Sequence, residues 1–136
     1  MGENLSSDDA PCVVLIEDDP LVRLGQEMLL RDWGYRVVTG ASREEVFSAV
    51  ENTHDIAAIL SDFRVEGPET GAEVAIALSA AAGRQIPTAI MSASLGRSSG
   101  NIADTYGFTF FAKPVDPERL RAWLDAVIPG RDSPSP

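Results

Sequence analysis

The feature that most constrains the fold is a regular alternation of short apolar runs with longer stretches whose apolar residues recur at helical spacing. Short, continuous apolar runs are typical of strands that are buried on both faces of a parallel sheet. Five such runs alternate with five helical stretches, which predicts an α/β fold with helices on both faces of the sheet. The predicted strands are Cys12–Ile16, Tyr35–Thr39, Ile56–Ser61, Pro87–Ser92 and Phe108–Phe111.

Local signals indicate where the helices begin and end. Pro20 suits the first turn of the first helix, and Gly34 suits its end. Ser42 is predicted to cap the second helix, and Glu45, three residues later, fits a capping box. The apolar positions at helical spacing in the first helix are Leu21, Leu24, Met28 and Leu29. The other predicted helices are Gly71–Ala82, Leu95–Tyr106 and Pro117–Ile128.

Composition excludes several classes of function. The chain has 136 residues and a formal net charge of −10, which argues against direct nucleic-acid binding because phosphate contacts need clustered Lys and Arg. No apolar run is long enough to span a membrane, and the polar amino terminus does not resemble a signal peptide. Cys12 is the single cysteine, so we expect a reducing, cytoplasmic location. His54 is the single histidine, which excludes mechanisms that need two histidines in one chain.

One ordered domain is predicted, over residues 12–128. The two ends of the chain, residues 1–11 and 129–136, are polar and are expected to be disordered tails. No internal repeat is present, and no second domain fits within this length.

Polar side chains follow four of the five predicted strands. Ligands of open α/β sheets bind at the carboxyl ends of the strands, so these side chains are expected to share one edge. The second strand ends only in Thr39 and Gly40 and is expected to lie at the margin of the sheet. The residues at the shared edge are Glu17, Asp18, Asp19, Asp62, Ser92 and Lys113.

The combination of these residues suits phosphoryl transfer to an aspartate. Clustered carboxylates repel one another unless a cation neutralises them, and oxygen ligands favour Mg²⁺. Asp62 is the candidate nucleophile, Lys113 can bind a phosphoryl oxygen, and Ser92 can donate a hydrogen bond to another. Taken singly, each residue has an ordinary explanation; Asp19, directly before Pro20, is well placed as a helix cap.

At this point the sequence resembles the receiver domains of two-component response regulators, from about Cys12 to Ile128. That resemblance implies a flavodoxin-like, doubly wound (βα)5 sandwich with strands in the order 2-1-3-4-5. The segments that carry it are Val13–Asp19, Trp33–Val37, Asp55–Asp62, Met91–Ala93 and Lys113–Pro114.

The resemblance also implies a role for each site residue. Asp62 is the phosphoacceptor, and Mg²⁺ is bound by Glu17, Asp18, Asp62 and the backbone carbonyl of Arg64. Lys113 binds the phosphoryl group and is followed by a cis proline bond. The switch residues are Ser92, at the end of the fourth strand, and Phe110, in the fifth.

The sequence departs from the family pattern in several places. Glu17 is a common variant of the first acidic residue, whereas Glu66 stands where the family usually has proline. The loop after Asp62 is one residue longer than in many receivers and begins Asp-aromatic-Arg, which resembles receivers attached to hybrid sensor kinases. Phe110 has no phenol, so the surface that it controls is expected to respond differently.

The expected function is a cytoplasmic switch rather than an enzyme. A cognate histidine kinase or histidine phosphotransfer domain donates a phosphoryl group to Asp62, and the receiver itself catalyses both this step and the later hydrolysis. The face of the fourth helix, fifth strand and last helix then changes its preference for a downstream protein or for a second copy of the chain.

Two alternatives stay open: an inactive receiver that only mediates contacts, and an aspartate-nucleophile phosphohydrolase. The latter expects two aspartates separated by one residue after the first strand, which Glu17-Asp18-Asp19 does not supply.

Overall fold

A computed structural model describes residues 10–93 and 107–128 of the chain. Five parallel strands form one sheet in the order β2-β1-β3-β4-β5, which confirms the predicted fold. The strands are β1 (Cys12–Ile16), β2 (Arg36–Gly40), β3 (Ile56–Asp62), β4 (Thr88–Ser92) and β5 (Thr109–Ala112). The helices are α1 (Pro20–Asp32), α2 (Arg43–Ala49), α3 (Gly71–Ala82) and a C-terminal helix (Pro117–Val127). The predicted helix at 95–106 and most of both predicted tails lie outside the described residues.

The sheet separates two hydrophobic layers, as expected for strands that are apolar throughout. One layer contains Val14, Ile59 and Ile90 and packs against α2 and α3. The other contains Leu15 and Leu60 and packs against α1 and the C-terminal helix. All five residues of β1 are buried, including Cys12, and burial raises the pKa of that thiol. Cys12 is therefore part of the core, as predicted.

Side-chain caps define where the helices begin. Asp19 caps α1 by accepting hydrogen bonds from the backbone N–H groups of Leu21 and Val22. Thr70 and Glu73 form a reciprocal capping box at the start of α3. The capping box predicted for α2 is only half formed, because Ser42 accepts from the Glu45 backbone N–H while the Glu45 carboxylate accepts from Ala41 instead.

The apolar stripe predicted for α1 does not face the core. Leu21 is 80% exposed, Leu24 53% and Met28 61%, whereas Leu30 is fully buried. Helical spacing identifies residues on one face but does not indicate which face the sheet covers. A contiguous apolar surface therefore lies on the solvent side of α1, and such surfaces are typical of interaction sites.

Candidate functional site

Three of the predicted site residues form an acidic cluster at the carboxyl edge of the sheet. Glu17 follows β1, Asp62 is the last residue of β3, and Asp18 is exposed in the turn into α1. One carboxylate oxygen from each of the three lies within 4.8 Å of the other two. The parallel topology causes this convergence, because β1 and β3 are neighbours and Ile16 pairs with Ser61, one residue before Asp62.

Lys113 brings a positive charge to the same edge from the end of β5. Its Nζ lies 3.2 Å from Asp62 Oδ1 and 3.4 Å from Glu17 Oε1, so one ammonium is shared by two carboxylates. Its backbone N–H donates to the carbonyl of Ser92 at 2.9 Å, which extends the pairing of β4 with β5. The Lys113–Pro114 peptide bond is cis, as the resemblance implied.

Glu17 is the most buried of the three acids, with only 1% of its surface exposed. Its backbone N–H donates to the carbonyl of Gly40 at 3.0 Å, and its carboxylate accepts from the backbone N–H of Asp19 at 3.2 Å. Burial raises the pKa of Glu17 because a carboxylate loses hydration there, and the negative charge of Asp62 adds to this rise. The contact with Lys113 lowers the pKa but does not compensate for burial.

Burial likewise raises the pKa of Asp62, although its hydrogen bond to Lys113 opposes that rise. Burial alone lowers the pKa of Lys113, but the contacts with Asp62 and Glu17 outweigh it, so that pKa lies above its ordinary value. All three shifts describe a partly dehydrated site in which negative charge exceeds positive charge. Such a site favours binding of an additional cation.

The acidic cluster does not include Ser92, Phe110 or Arg64. Ser92 ends β4, is only 7% exposed, and pairs in register with Ala112, directly before Lys113. Phe110 pairs with Ile90 and is half-buried against the hydrophobic layer between the sheet and helices α2 and α3. Arg64 is exposed two residues after Asp62, in a loop closed by an antiparallel bridge between Arg64 and Thr70.

Gly71 is a residue that the sequence reasoning did not assign to the site. A Cβ atom built on it would lie 2.0 Å from the backbone oxygen of Asp62 and 2.2 Å from Ser61 Oγ. The start of α3 therefore packs directly on the backbone of Asp62, which only glycine permits. A glycine immediately after a capping threonine, nine residues beyond Asp62, was the available sequence signal.

The end of β2 contacts the loops of the site, which its sequence did not indicate. Gly40 O accepts the N–H of Glu17, and Ala41 O accepts the N–H of Glu66 in the loop after β3, both at 3.0 Å. The prediction that this strand lies at the margin of the sheet is confirmed, but its end contacts both acidic loops.

The donor set fits a hard divalent cation. All three clustered side chains offer carboxylate oxygens, and oxygen ligands are those that Mg²⁺ prefers in proteins. His54 lies in a short 3₁₀ turn, Thr53–Asp55, immediately before β3 and hence at the opposite edge of the sheet. A site built from nitrogen ligands is therefore not formed here.

A family model described as "Response regulator receiver domain" matches residues 13–125. The chain belongs to the response regulator receiver family. Receiver domains of this family are signalling modules of two-component systems, and the match includes all five strands, apart from Cys12, and the acidic cluster. No curated protein matches the chain. The predicted membership of the receiver family is thus confirmed.

Solved receiver structures share the fold. A response regulator receiver domain protein from Clostridium thermocellum is 18% identical, with a TM-score of 0.76 over 86% of this chain and 93% of that chain. The receiver of a diguanylate cyclase from Desulfovibrio desulfuricans G20 is 24% identical, with a TM-score of 0.74 over 88% and 94%. The receiver domain of a sensor histidine kinase from Pseudomonas aeruginosa PAO1, described with a magnesium ion coordinated in the active site cleft, is 24% identical, with a TM-score of 0.72 over 88% and 98%.

Across the part of the chain that the structure describes, no helix has the length and apolar character needed to cross a membrane.

Proposed function

We propose that this receiver accepts a phosphoryl group from a phosphohistidine onto Asp62 in the presence of Mg²⁺. The observation that carries the proposal is the position of the Asp62 carboxylate, 3.2 Å from Lys113 Nζ and clustered with Glu17 and Asp18. A nucleophilic carboxylate, a lysine and a cation site at one edge of the sheet are the components of phosphoryl transfer to aspartate. The donor is a cognate histidine kinase or a histidine phosphotransfer domain.

Asp18, Glu17 and Asp62, together with the backbone carbonyl of Arg64, are the proposed Mg²⁺ ligands. Their carboxylate oxygens within 4.8 Å of one another support this, as does the magnesium ion named for the Pseudomonas aeruginosa sensor kinase receiver. When bound, Mg²⁺ neutralises charge that develops on the phosphoryl oxygens. Burial of Glu17 strengthens that effect, because less water screens the charges.

The proposed transfer step uses the side chains of this chain as follows. An oxygen of Asp62 bonds to phosphorus while the bond from phosphorus to the donor imidazole nitrogen breaks. The intact phosphoryl group is thus transferred from that nitrogen to Asp62. Lys113 is already at hydrogen-bonding distance from Asp62 and binds one phosphoryl oxygen. Ser92 moves toward another phosphoryl oxygen and donates a hydrogen bond to it, and Phe110 rotates into the space that Ser92 leaves. Water later hydrolyses the acyl phosphate.

The proposed output is a change of protein contacts, and the chain is better described as a switch than as an enzyme. The proposed contact face consists of the fourth helix, which is predicted at residues 95–106, together with β5 and the C-terminal helix; it binds an unidentified downstream protein or a second copy of the chain. A cleft of about 540 Å³, lined by Phe110, Phe111, Pro114, Asp116 and Arg119 among others, lies on this face and supports the proposal. We further propose a cytoplasmic location and one functional unit over residues 12–128.

The test is intact mass after incubation with acetyl phosphate, with and without Mg²⁺, for the wild type and Asp62→Asn. We expect one phosphoryl adduct on the wild type that requires Mg²⁺ and is absent from the variant, because the amide cannot form an acyl phosphate. An aspartate-nucleophile phosphohydrolase would in addition release inorganic phosphate from a phosphate monoester, which we do not expect of a receiver. If the wild type neither gains an adduct nor binds Mg²⁺, the proposal fails and an interaction module without phosphorylation replaces it.

The exposed apolar surface of α1 predicts where the phosphohistidine donor binds. Leu21 and Leu24 lie in the first turns after Asp18, so a donor that reaches Asp62 is expected to cover them. We expect Leu21→Ser combined with Leu24→Ser to slow transfer from the kinase at least about tenfold, which corresponds to ~1.4 kcal/mol. Phosphorylation by acetyl phosphate should stay unchanged, because that small donor needs no protein interface.

The matched control is Ala81→Ser, which alters an exposed apolar position on α3 and should leave both rates unchanged. Equal kinase rates for the wild type and the α1 double variant would show that the donor binds elsewhere.

A further inference from the structure

The turn between β2 and α2, Gly40–Arg43, contacts both loops that carry the proposed Mg²⁺ ligands. We infer that this brace turn sets the spacing between the two loops and that Arg43 and Glu69 are positioning residues for the site. The inference rests on the proposed function and deepens it, because it names residues that tune the cation site without contacting the cation.

The first contact of the brace turn is with the loop that carries Glu17. The Glu17 backbone N–H donates to Gly40 O at 3.0 Å. The next residue, Ala41, donates its own N–H to Glu45 Oε1 at 2.8 Å, so a side chain of α2 fixes the conformation of the turn. A Cβ atom on Gly40 would lie only 2.7 Å from Val46 Cγ2, which means that the turn packs tightly on α2.

The second contact is with the loop after Asp62. The Glu66 backbone N–H donates to Ala41 O at 3.0 Å, and Ser42 pairs with Glu66 in a parallel bridge. Neighbouring carbonyls, those of Gly40 and Ala41, therefore accept one hydrogen bond from each of the two loops. Glu66 lies two residues after Arg64, whose backbone carbonyl is a proposed ligand.

An ion pair then holds the far side of this second loop. Arg43 Nη1 donates to both carboxylate oxygens of Glu69, at 2.9 and 3.1 Å, and its guanidinium lies 5.2 Å from the centre of the Phe47 ring. The side chains of Arg43 and Glu69 are 49% and 31% exposed, so the pair contributes little to overall stability. Removing this ion pair therefore tests how the loop is positioned without a large change in the stability of the fold.

Loosening the loop is expected to weaken cation binding. A cation site binds tightly when its ligands are held in place before the cation arrives, and binding must otherwise order them at an entropic cost. Groups that position metal ligands without touching the metal typically change metal affinity by about tenfold or more.

The experiment is calorimetric titration of the full chain with Mg²⁺. We expect Arg43→Ala and Glu69→Ala each to raise the Kd for Mg²⁺ about tenfold while leaving the midpoint of urea unfolding unchanged. The exchanged pair, Arg43→Glu with Glu69→Arg, should recover most of the lost affinity. Arg31→Ala is the matched control, because it removes the exposed Arg31–Glu27 pair at 2.9 Å on α1 and should leave the Kd unchanged.

A second measurement does not depend on Mg²⁺. Amide hydrogen exchange of the Mg²⁺-free protein should become faster at Glu66 in Arg43→Ala, while exchange at Glu17 stays the same. The inference about the brace turn fails if exchange at Glu66 is unchanged, or if the wild type and the single variants bind Mg²⁺ with equal affinity. Either result leaves the proposed function intact. A wild type that binds no Mg²⁺ overturns both.

Discussion

Replacing Gly71 by alanine is expected to lower the free energy of unfolding by about 3 kcal/mol or more and to abolish phosphorylation of Asp62. The added Cβ would lie 2.0 Å from the backbone oxygen of Asp62 and 2.2 Å from Ser61 Oγ, far inside normal contact distance. Neither neighbour can move freely, since both belong to the central strand β3. Relief requires α3 to shift away from the end of β3. Because the Gly71 N–H donates to the Phe63 carbonyl at 2.8 Å, this shift also pulls on the backbone directly after Asp62, the proposed phosphoacceptor.

The measurement is urea unfolding of the wild type and Gly71→Ala, together with the mass of the acetyl phosphate product. Gly25→Ala is the matched control, because Gly25 lies in α1 and, apart from its chain neighbours and the backbone of its own helix, no atom lies within 4 Å of the added Cβ. There the same chemical change should stabilise the protein by about 0.5–1 kcal/mol, since alanine favours helix. Near-wild-type stability for Gly71→Ala would mean that α3 does not pack on Asp62 as described.

The second large effect is the joint dependence of stability on pH and Mg²⁺. The pKa values of Glu17 and Asp62 are raised in the folded protein, so the folded state binds their protons more tightly than the unfolded state does. The stability that these groups contribute is therefore present at low pH and is lost as pH rises through their folded pKa values. Lys113 also has a raised pKa, and its contribution persists through neutral pH and is lost only at alkaline pH.

We therefore expect Glu17→Gln to become more stable relative to the Mg²⁺-free wild type as pH rises from about 4 to about 8. With Mg²⁺ present at neutral pH, the wild type should instead be more stable than Glu17→Gln. Mg²⁺ binds the ionised carboxylates of the wild type and, at one hundred times its Kd, adds about 2.7 kcal/mol to the free energy of unfolding. Mg²⁺ affinity should in turn fall as pH is lowered, since protons compete for the same oxygens.

Thermal or urea unfolding at each pH, with EDTA or with Mg²⁺, tests this prediction. Glu51→Gln is the control, because it changes an exposed carboxylate in the segment after α2, outside the site. A stability difference between wild type and Glu17→Gln that does not vary with pH would contradict burial of an ionisable group at this position.

Much of the fold and the acidic cluster could be predicted because the relevant signals are local. Continuous apolar runs indicated the strands to within about one residue, and the parallel order then placed Glu17, Asp62 and Lys113 at one edge. The roles of Ser92, Phe110 and Arg64 stay predictions, because they concern movement and ligands rather than fold.

Other features depend on tertiary contacts that a sequence pattern does not specify. The apolar spacing of α1 predicted a helix correctly, but Leu21, Leu24 and Met28 are exposed because the sheet covers the other side of that helix. The requirement for glycine at position 71 arises from the approach of α3 to Asp62, a distance set by packing of two separate elements. The contact between Ala41 and Glu66 joins loops that no periodicity connects.

The shared position of Lys113 between two acids has a consequence for the size of the signal. With all three carboxylates ionised, Glu17, Asp18, Asp62 and Lys113 carry three negative charges and one positive charge, a sum of −2 that one divalent cation cancels. An acyl phosphate on Asp62 replaces one negative charge with about two, so phosphorylation leaves a local excess of only about one charge. Salt in the solvent screens exposed charges beyond a Debye length of about 8 Å, so an excess of one charge gives only a weak field at a solvent-exposed surface farther away than that. If Asp62 is phosphorylated as proposed, we therefore expect contacts at a distant surface to change mainly through movement of the side chains that bind the phosphoryl oxygens, and less through the added charge.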